Sequence, residues 1–373
     1  MTKFSALFPG RLSFGAGSLE KHGAVPEIEG KRGVIVTGAA SAAKNGSLAQ
    51  ALELVKKSKA EAFVFQGVEP EVSVETADRA AAFCREKKAS FIIGLGGGSA
   101  IDCAKAASTA AVTGAKCADY LDAKVTAGAD SLFFIAIPTT SGTGSEVTKN
   151  AVLKYTAKNM KLSLRGESLV PKIVIADPLL TTAMPKEVTS YSGMDAFCHA
   201  VESYLSTGAN PLTMPLAAEA VKLIAANIET AYKNGADVEA RTNMMLASIL
   251  AGLSFATAGL GAVHGIGHPV GAVCGAPHGF VNAVLLPYIL RLNREASEDR
   301  IRELEITAGI KLEETASWLN RSLKIPEKIS GLCPGAPSMM EKIIATTVYS
   351  GSMAYNPVKM DEELVRRILG EAL

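Results

Sequence analysis

Histidine is scarce in this chain. Only five occur in 373 residues: His22, His199, His264, His268 and His278. Other signatures are missing too. The six cysteines (Cys84, Cys103, Cys117, Cys198, Cys274, Cys333) contain no C-x-x-C pair, which excludes the paired-cysteine zinc and redox motifs and fits small buried residues in a reducing compartment. No uninterrupted apolar run reaches the ~20 residues that span a bilayer. Lys and Arg (38) nearly balance Asp and Glu (37), so no general nucleic-acid or anionic-membrane surface is expected. Met1-Thr2-Lys3 leads into Pro9-Gly10 without an apolar h-region, so no signal peptide is expected and a cytoplasmic location is. Repeats, low-complexity tracts and linkers long enough to be disordered are absent. What is present is apolar residues, 48% of the chain, enough for a large core and a length that permits two domains.

The few histidines are not scattered. His264, His268 and His278 fall within fifteen residues, in a glycine-rich stretch from Gly259 to Gly279. His199 follows Asp195 by four. An i, i+4 spacing places two side chains on one helix face, so Asp195 and His199 can converge, and so can His264 and His268. Imidazoles with one carboxylate suit a divalent transition metal such as zinc, iron or nickel.

Short apolar runs alternate with helical patterns through the first half. Strands are predicted at 33–37, 62–65, 91–95, 132–137 and 173–176, helices at 47–57, 72–87 and 100–111, and a short edge strand or hairpin within 4–20. Such alternation implies parallel βαβ units with right-handed crossovers. After Pro185 only helical patterns follow: 186–206, 212–233, 237–256, 279–294, 298–307, 311–323, 336–348 and 361–371. The predicted architecture is an α/β domain with a parallel sheet over 1–183 and an all-α domain over 184–373.

Two loops leave apolar strands at the predicted sheet's carboxyl edge, where ligands of open α/β sheets bind. Gly94-Leu95-Gly96-Gly97-Gly98-Ser99 opens a helix, and its glycines fit either a tight turn or a close backbone approach to phosphate at a helix N-terminus. It departs from G-x-G-x-x-G and lacks an acidic residue about 20 positions on. The second loop runs from Pro138 to Ser145. Together they predict phosphate or dinucleotide binding.

These stretches together resemble the iron-containing (group III) alcohol dehydrogenase family over essentially the whole chain. The likeness is carried by Gly96-Gly97-Gly98-Ser99 with Asp102 and Lys105, by Pro138-Thr139-Thr140-Ser141-Gly142-Thr143-Gly144-Ser145-Glu146, by Asp195-Ala196-Phe197-Cys198-His199-Ala200-Val201-Glu202, and by Gly259 to His268 with Ala276-Pro277-His278-Gly279. The resemblance implies a Rossmann-like domain plus a helical domain, an architecture shared with dehydroquinate synthase. It implies Asp195, His199, His264 and His278 as metal ligands and His268 as a further histidine near nicotinamide and substrate. It also places Gly97, Gly98, Ser99, Asp102, Thr139, Thr140, Thr143, Lys161 and Leu180 where the family binds its dinucleotide.

One departure bears on cofactor choice. Many members carry Asp after the first strand's Thr, where it holds the ribose hydroxyls and repels a 2′-phosphate. Here that position is Gly38, with Ser41 nearby to donate to a phosphate. NADP(H) is therefore favoured; the alternative is that Gly38 serves only a tight turn and NAD(H) is used. The expected activity is metal-dependent hydride transfer between a small alcohol and its aldehyde or ketone, with ferrous iron as the expected metal and zinc as the alternative. His268 relays the alcohol proton, or else is a hydrogen-bonded residue of the cleft. The rivals are a dehydroquinate-synthase-like cyclase and a non-catalytic metal-binding protein. The cyclase needs several Lys and Arg to grip an acidic phosphorylated substrate, and residues 259–282 contain none. The expected partner is a small alcohol or aldehyde, with neither nucleic acid nor membrane, in a homo-oligomer of two or more copies.

Overall fold

The computed structural model describes residues 3–158, 160–347 and 351–373. Two compact units divide the chain. The first comprises Leu7–Thr140 and Gly144–Ala183; the second runs from Met184 onward and includes Ser141–Thr143.

The first unit is built on a sheet of β1 (Arg11–Phe14), β2 (Arg32–Gly38), β3 (Glu61–Val68), β4 (Phe91–Gly96), β5 (Phe133–Pro138) and β8 (Ile173–Ala176). All its pairings are parallel, in the order β1-β8-β5-β4-β2-β3. The central strands are apolar runs rather than alternating ones because both faces are covered. Helix α2 (Ser47–Lys57), after the short α1 (Ser41–Lys44), buries Ala51, Leu54 and Val55 with Ile35, Ile93, Ile135 and Ile175 on one face. On the other, α4 (Gly98–Thr113) comes so close that a Cβ at Gly94 would lie 3.1 Å from Ala104 Cβ. Helices α3 (Val74–Glu86) and α5 (Cys117–Leu121) complete the layer beside α4.

Besides the short α1 and α5, a pair of strands in this unit was not predicted. β6 (Asn150–Tyr155) and β7 (Met160–Arg165) form an antiparallel pair outside the main sheet. A single buried cation ties it to α4. Lys105, fully buried, donates from Nζ to the carbonyls of Thr148 and Asn150, both at 2.7 Å, and to Thr148 Oγ1 at 2.9 Å. Burial lowers its pKa to about 8, opposed by Asp102 and Glu146. Burial likewise raises Asp102 to about 6 and Glu146 to about 7, against the pull of Lys105.

The second unit is helical, and no strand occurs among its described residues. Its helices are α6 (Lys186–Leu205), α7 (Thr213–Lys233), α8 (Val238–Ala258), α9 (Ala262–Cys274), α10 (His278–Ala308), α11 (Leu312–Ser322), α12 (Met340–Thr347) and α13 (Glu362–Ala372). The helices read at 279–294 and 298–307 are the two halves of α10, which meet at a kink where Ser297 is non-helical (φ −143°, ψ 31°). Two others differ from expectation. The helix read at 336–348 is a 3-10 turn at Ala336–Met339 followed by α12, and Val348 lies outside the described residues. α9 was not read as a helix, since three glycines and Pro269 fall inside it. Tertiary packing overrides propensity there: Val263, Ile266 and Val270 are fully buried in the second unit's core. Among the described residues no single helix is long and apolar enough to cross a membrane.

Removing Lys105 leaves two carbonyls and two carboxyl groups without their buried cation. Lys105→Ala should lower the stability of the first unit by about 3 kcal/mol, read as a lower urea midpoint. A midpoint within error of wild type would mean that the cluster is not what holds the hairpin.

Candidate active site

Helix α6 runs through the second unit's core, with Asp195, His199 and Glu202 on one buried face at i, i+4 and i+7. α9 supplies His264 and His268, and the first turn of α10 supplies His278 and Asn282. A Cβ at Gly267 would sit 2.1 Å from Asn282 Oδ1, so only glycine lets α9 and α10 approach this closely.

The ligand atoms of Asp195, His199 and His264 all lie within 4.8 Å of one another, in a buried cluster that could hold a metal ion. His278 joins at its edge, with Nε2 3.8 Å from Asp195 Oδ1 and a quarter of its side chain exposed. The four imidazoles form a connected group. His199 stacks on His264 at 4.5 Å between centroids, His268 stacks on His278 at 4.7 Å, and the His264 and His278 rings meet edge-on at 5.2 Å. The structure therefore brings together all five residues that the sequence singled out around the histidine cluster.

Two partners were missed, one of them, Asn282, at helical spacing from a proposed ligand. Asn282, four residues after His278, donates to Asp195 Oδ1 at 2.8 Å and lies 3.0 Å from both His264 Nε2 and His278 Nε2. Phe255 stacks on the far face of His199 at 4.4 Å, and His199 Nδ1 lies 3.3 Å from the Gly142 carbonyl.

The electrostatics suit a cation. Asp195 and Glu202 are two buried carboxylates in one cluster, with His264 beside both and His278 beside Asp195. Burial pushes the Asp195 carboxyl up, but His199, His278 and His264 outweigh it and hold it well below the usual range. Burial pulls His199 down to about 4, so that ring is neutral and its lone pair available. His264 goes the other way: burial opposes its charge, yet Glu202 and Asp195 raise it to about 9. A carboxylate with neutral imidazoles is a donor set for a divalent transition metal, and positive charge is what this cluster asks for.

The predicted nucleotide residues lie mostly in the first unit. Gly97, Gly98 and Ser99 form the turn from β4 into α4 and are partly exposed. A Cβ at Gly97 would meet Thr140 Cγ2 at 3.1 Å, so the two loops touch there. Thr139 is buried and Thr140 partly exposed, while Thr143 belongs to the second unit. Lys161 is ion-paired with Glu71, whose N–H donates to Ser99 Oγ at 2.9 Å. Asp102 lies beneath the turn, accepting from Val152 N at 3.0 Å, and Leu180 is part of the apolar core. Gly38 ends β2, with Ser41 exposed just beyond.

The family model described as iron-containing alcohol dehydrogenase matches residues 9–178, and the one described as the C-terminal part of that family matches 189–373. A long-chain-alcohol dehydrogenase of Geobacillus thermodenitrificans is 34% identical, over 97% of this chain and 95% of the relative. An NADPH-dependent butanol dehydrogenase of Clostridium saccharobutylicum is 35% identical, over 79% of this chain and 76% of the relative. The solved alcohol dehydrogenase from Oenococcus oeni superposes with a TM-score of 0.92 at 32% identity, covering all of both chains.

A ligand nitrogen must lose its proton before it binds a metal. With His264 raised to about 9, a divalent ion entering at about pH 7 should release close to one proton per chain. Calorimetric titration in buffers of different ionisation enthalpy measures this. Zero release would remove His264 from the ligand set.

Proposed function

Because the chain belongs to the iron-containing alcohol dehydrogenase family, we propose that it is a cytoplasmic, metal-dependent alcohol dehydrogenase. It interconverts small alcohols with their aldehydes or ketones and uses NADP(H) at least as well as NAD(H). The observation that carries this reading is the buried convergence of Asp195, His199 and His264, with His278 at its open edge. The ion is ferrous iron on the family's chemistry, with zinc as the alternative. When bound, the metal supplies a Lewis acid toward the substrate oxygen and the nicotinamide the hydride or its acceptor.

The chain's own residues do the rest. Asp195 supplies the one anionic ligand, and His199, His264 and His278 supply neutral nitrogens. Phe255 and the Gly142 carbonyl fix the plane of the His199 ring. His268 is partly exposed and stacked on His278, which suits it to pass the alcohol proton between substrate and solvent. In the first unit the turn at Gly97, Gly98 and Ser99 offers backbone N–H groups at a helix N-terminus to the pyrophosphate, beside Thr139 and Thr140, with Thr143, Lys161, Asp102 and Leu180 in the same proposed set. Oligomerisation completes the reading. β1 is an edge strand, and Leu7, Phe8, Leu12 and Phe14 around it are exposed, an apolar margin fit for a second copy.

Cofactor preference turns on Gly38. A Cβ there would meet only Val68 O at 3.7 Å and Ser41 Oγ at 3.9 Å, so aspartate fits without strain. At 4 Å and an effective dielectric near 20, two unit charges repel by about 4 kcal/mol before screening. A quarter of that, about 1 kcal/mol, is a several-fold loss. Protein loaded with ferrous iron should reduce short aldehydes, and His278→Ala should lose that activity by orders of magnitude. Gly38→Asp should lower kcat/KM for NADP(H) about tenfold while NAD(H) use holds. No turnover across a broad panel of short aldehydes would contradict the activity; a wild-type preference for NAD(H), or an unmoved ratio, would contradict the cofactor assignment.

A further inference from the structure

Glu202 is buried, only 5% exposed. It lies on α6 three residues after His199, on the face that presents Asp195 and His199. Its two oxygens have separate duties. Oε1 accepts from the backbone N–H of Val263 at 2.7 Å, and Oε2 is hydrogen-bonded to His264 Nδ1. Val263 is in the first turn of α9, whose N-terminus has no side-chain cap of its own. Another N–H of that turn, from Ala262, goes to Asn356 Oδ1 at 3.1 Å. A carboxylate at this point also meets the positive end of the helix. The fit is close, since a Cβ at Gly261 would lie 2.9 Å from Glu202 Oε1.

We infer that Glu202 is a positioning residue for the metal centre: it holds His264 with the proton on Nδ1 and the Nε2 lone pair directed at the cluster. An ionised carboxylate only accepts hydrogen bonds, so the ring nitrogen facing it must carry a proton. The other nitrogen, Nε2, then faces Asp195 Oδ1 at 3.5 Å and Asn282 Nδ2 at 3.0 Å. One residue on α6 therefore sets both where α9 begins and which nitrogen of its first histidine faces inward. His199, by contrast, has a backbone carbonyl, Gly142 O, at 3.3 Å from its Nδ1 rather than a carboxylate. Outer carboxylates that orient a ligating imidazole are worth about 10- to 100-fold in metal affinity.

Glutamine at this position keeps the shape but has a single acceptor oxygen. It cannot serve both Val263 N–H and His264 Nδ1–H, and an amide group turned toward His264 favours the other tautomer. This inference rests on the proposed metal centre, and the test separates the two. Zinc and cobalt dissociation constants are measured by chelator competition on wild type, Glu202→Gln and Asn356→Ala, with thermal unfolding of each. Glu202→Gln should bind 10- to 100-fold more weakly and shift its cobalt absorption spectrum. Asn356→Ala, which removes the other acceptor at the α9 N-terminus, should unfold at lower temperature but bind within about threefold of wild type. Equal affinity in Glu202→Gln, or an equal loss in Asn356→Ala, overturns the inference while leaving the metal centre standing. A wild type that binds neither ion overturns both. Should Glu202→Gln not fold, nitrogen-15 histidine spectra of zinc-loaded wild type decide: a proton on His264 Nδ1 supports the inference, one on Nε2 overturns it.

Discussion

Two carboxylates buried on one helix need positive charge, and much of the second unit is arranged around that need. Asp195 and Glu202 lie two turns apart on one face of α6, both buried. Isolated in a low-dielectric core, each carries a desolvation cost of several kcal/mol. Imidazoles from α6, α9 and α10 surround them, and the raised His264 pKa shows the electrostatic pull toward a cation. Such a cluster assembles only if three helices converge within hydrogen-bonding distance. The glycines of α9 permit that convergence, although they weaken the helix as an isolated segment.

The first unit applies the opposite sign of the same principle. There a buried lysine, with acceptors at 2.7 to 2.9 Å, anchors a hairpin beneath the turn that leads into α4. Its partners Asp102 and Glu146 are pushed toward their neutral forms by burial. The phosphate-type turn above it thus stands on a rigid polar support rather than on packing alone. Asp102, which the family motif places among the nucleotide residues, meets Val152 N–H in that support.

Where the chain's local pattern matched its tertiary role, the sequence was a good guide. The β2, β4, β5 and β8 runs are β-branched and apolar because both sheet faces are covered, and the periodicity of α6 placed Asp195 and His199 on one face. The failures have physical causes. β6 does alternate, burying Ala151, Leu153 and Tyr155, but β7 hardly does, and the pair is tied down by a lysine on a distant helix, which no local pattern announces. α9 carries three glycines and a proline, so its helicity comes from packing. Glu202 closes the α6 motif and Asn282 lies four residues after His278, just beyond the motif that ends at Gly279, each at helical spacing from a proposed ligand. What marks them is the contact each makes, Glu202 with a histidine of α9 and Asn282 with the carboxylate of α6, visible only once the helices are folded together. Gly38 was legible as an absence, and the space around it admits the aspartate that the sequence lacks.

Direct hydride transfer at a metal-supported site is tested most directly by following the hydrogen itself. A primary alcohol dideuterated at C1 is incubated with oxidised NADP and protein loaded with ferrous iron, and the reduced cofactor is analysed by mass spectrometry. The account predicts one deuterium on the nicotinamide ring per turnover, none acquired from heavy water with unlabelled alcohol, and no product from metal-stripped protein. Reduced cofactor without the label, or formed equally well by metal-stripped protein, would contradict it.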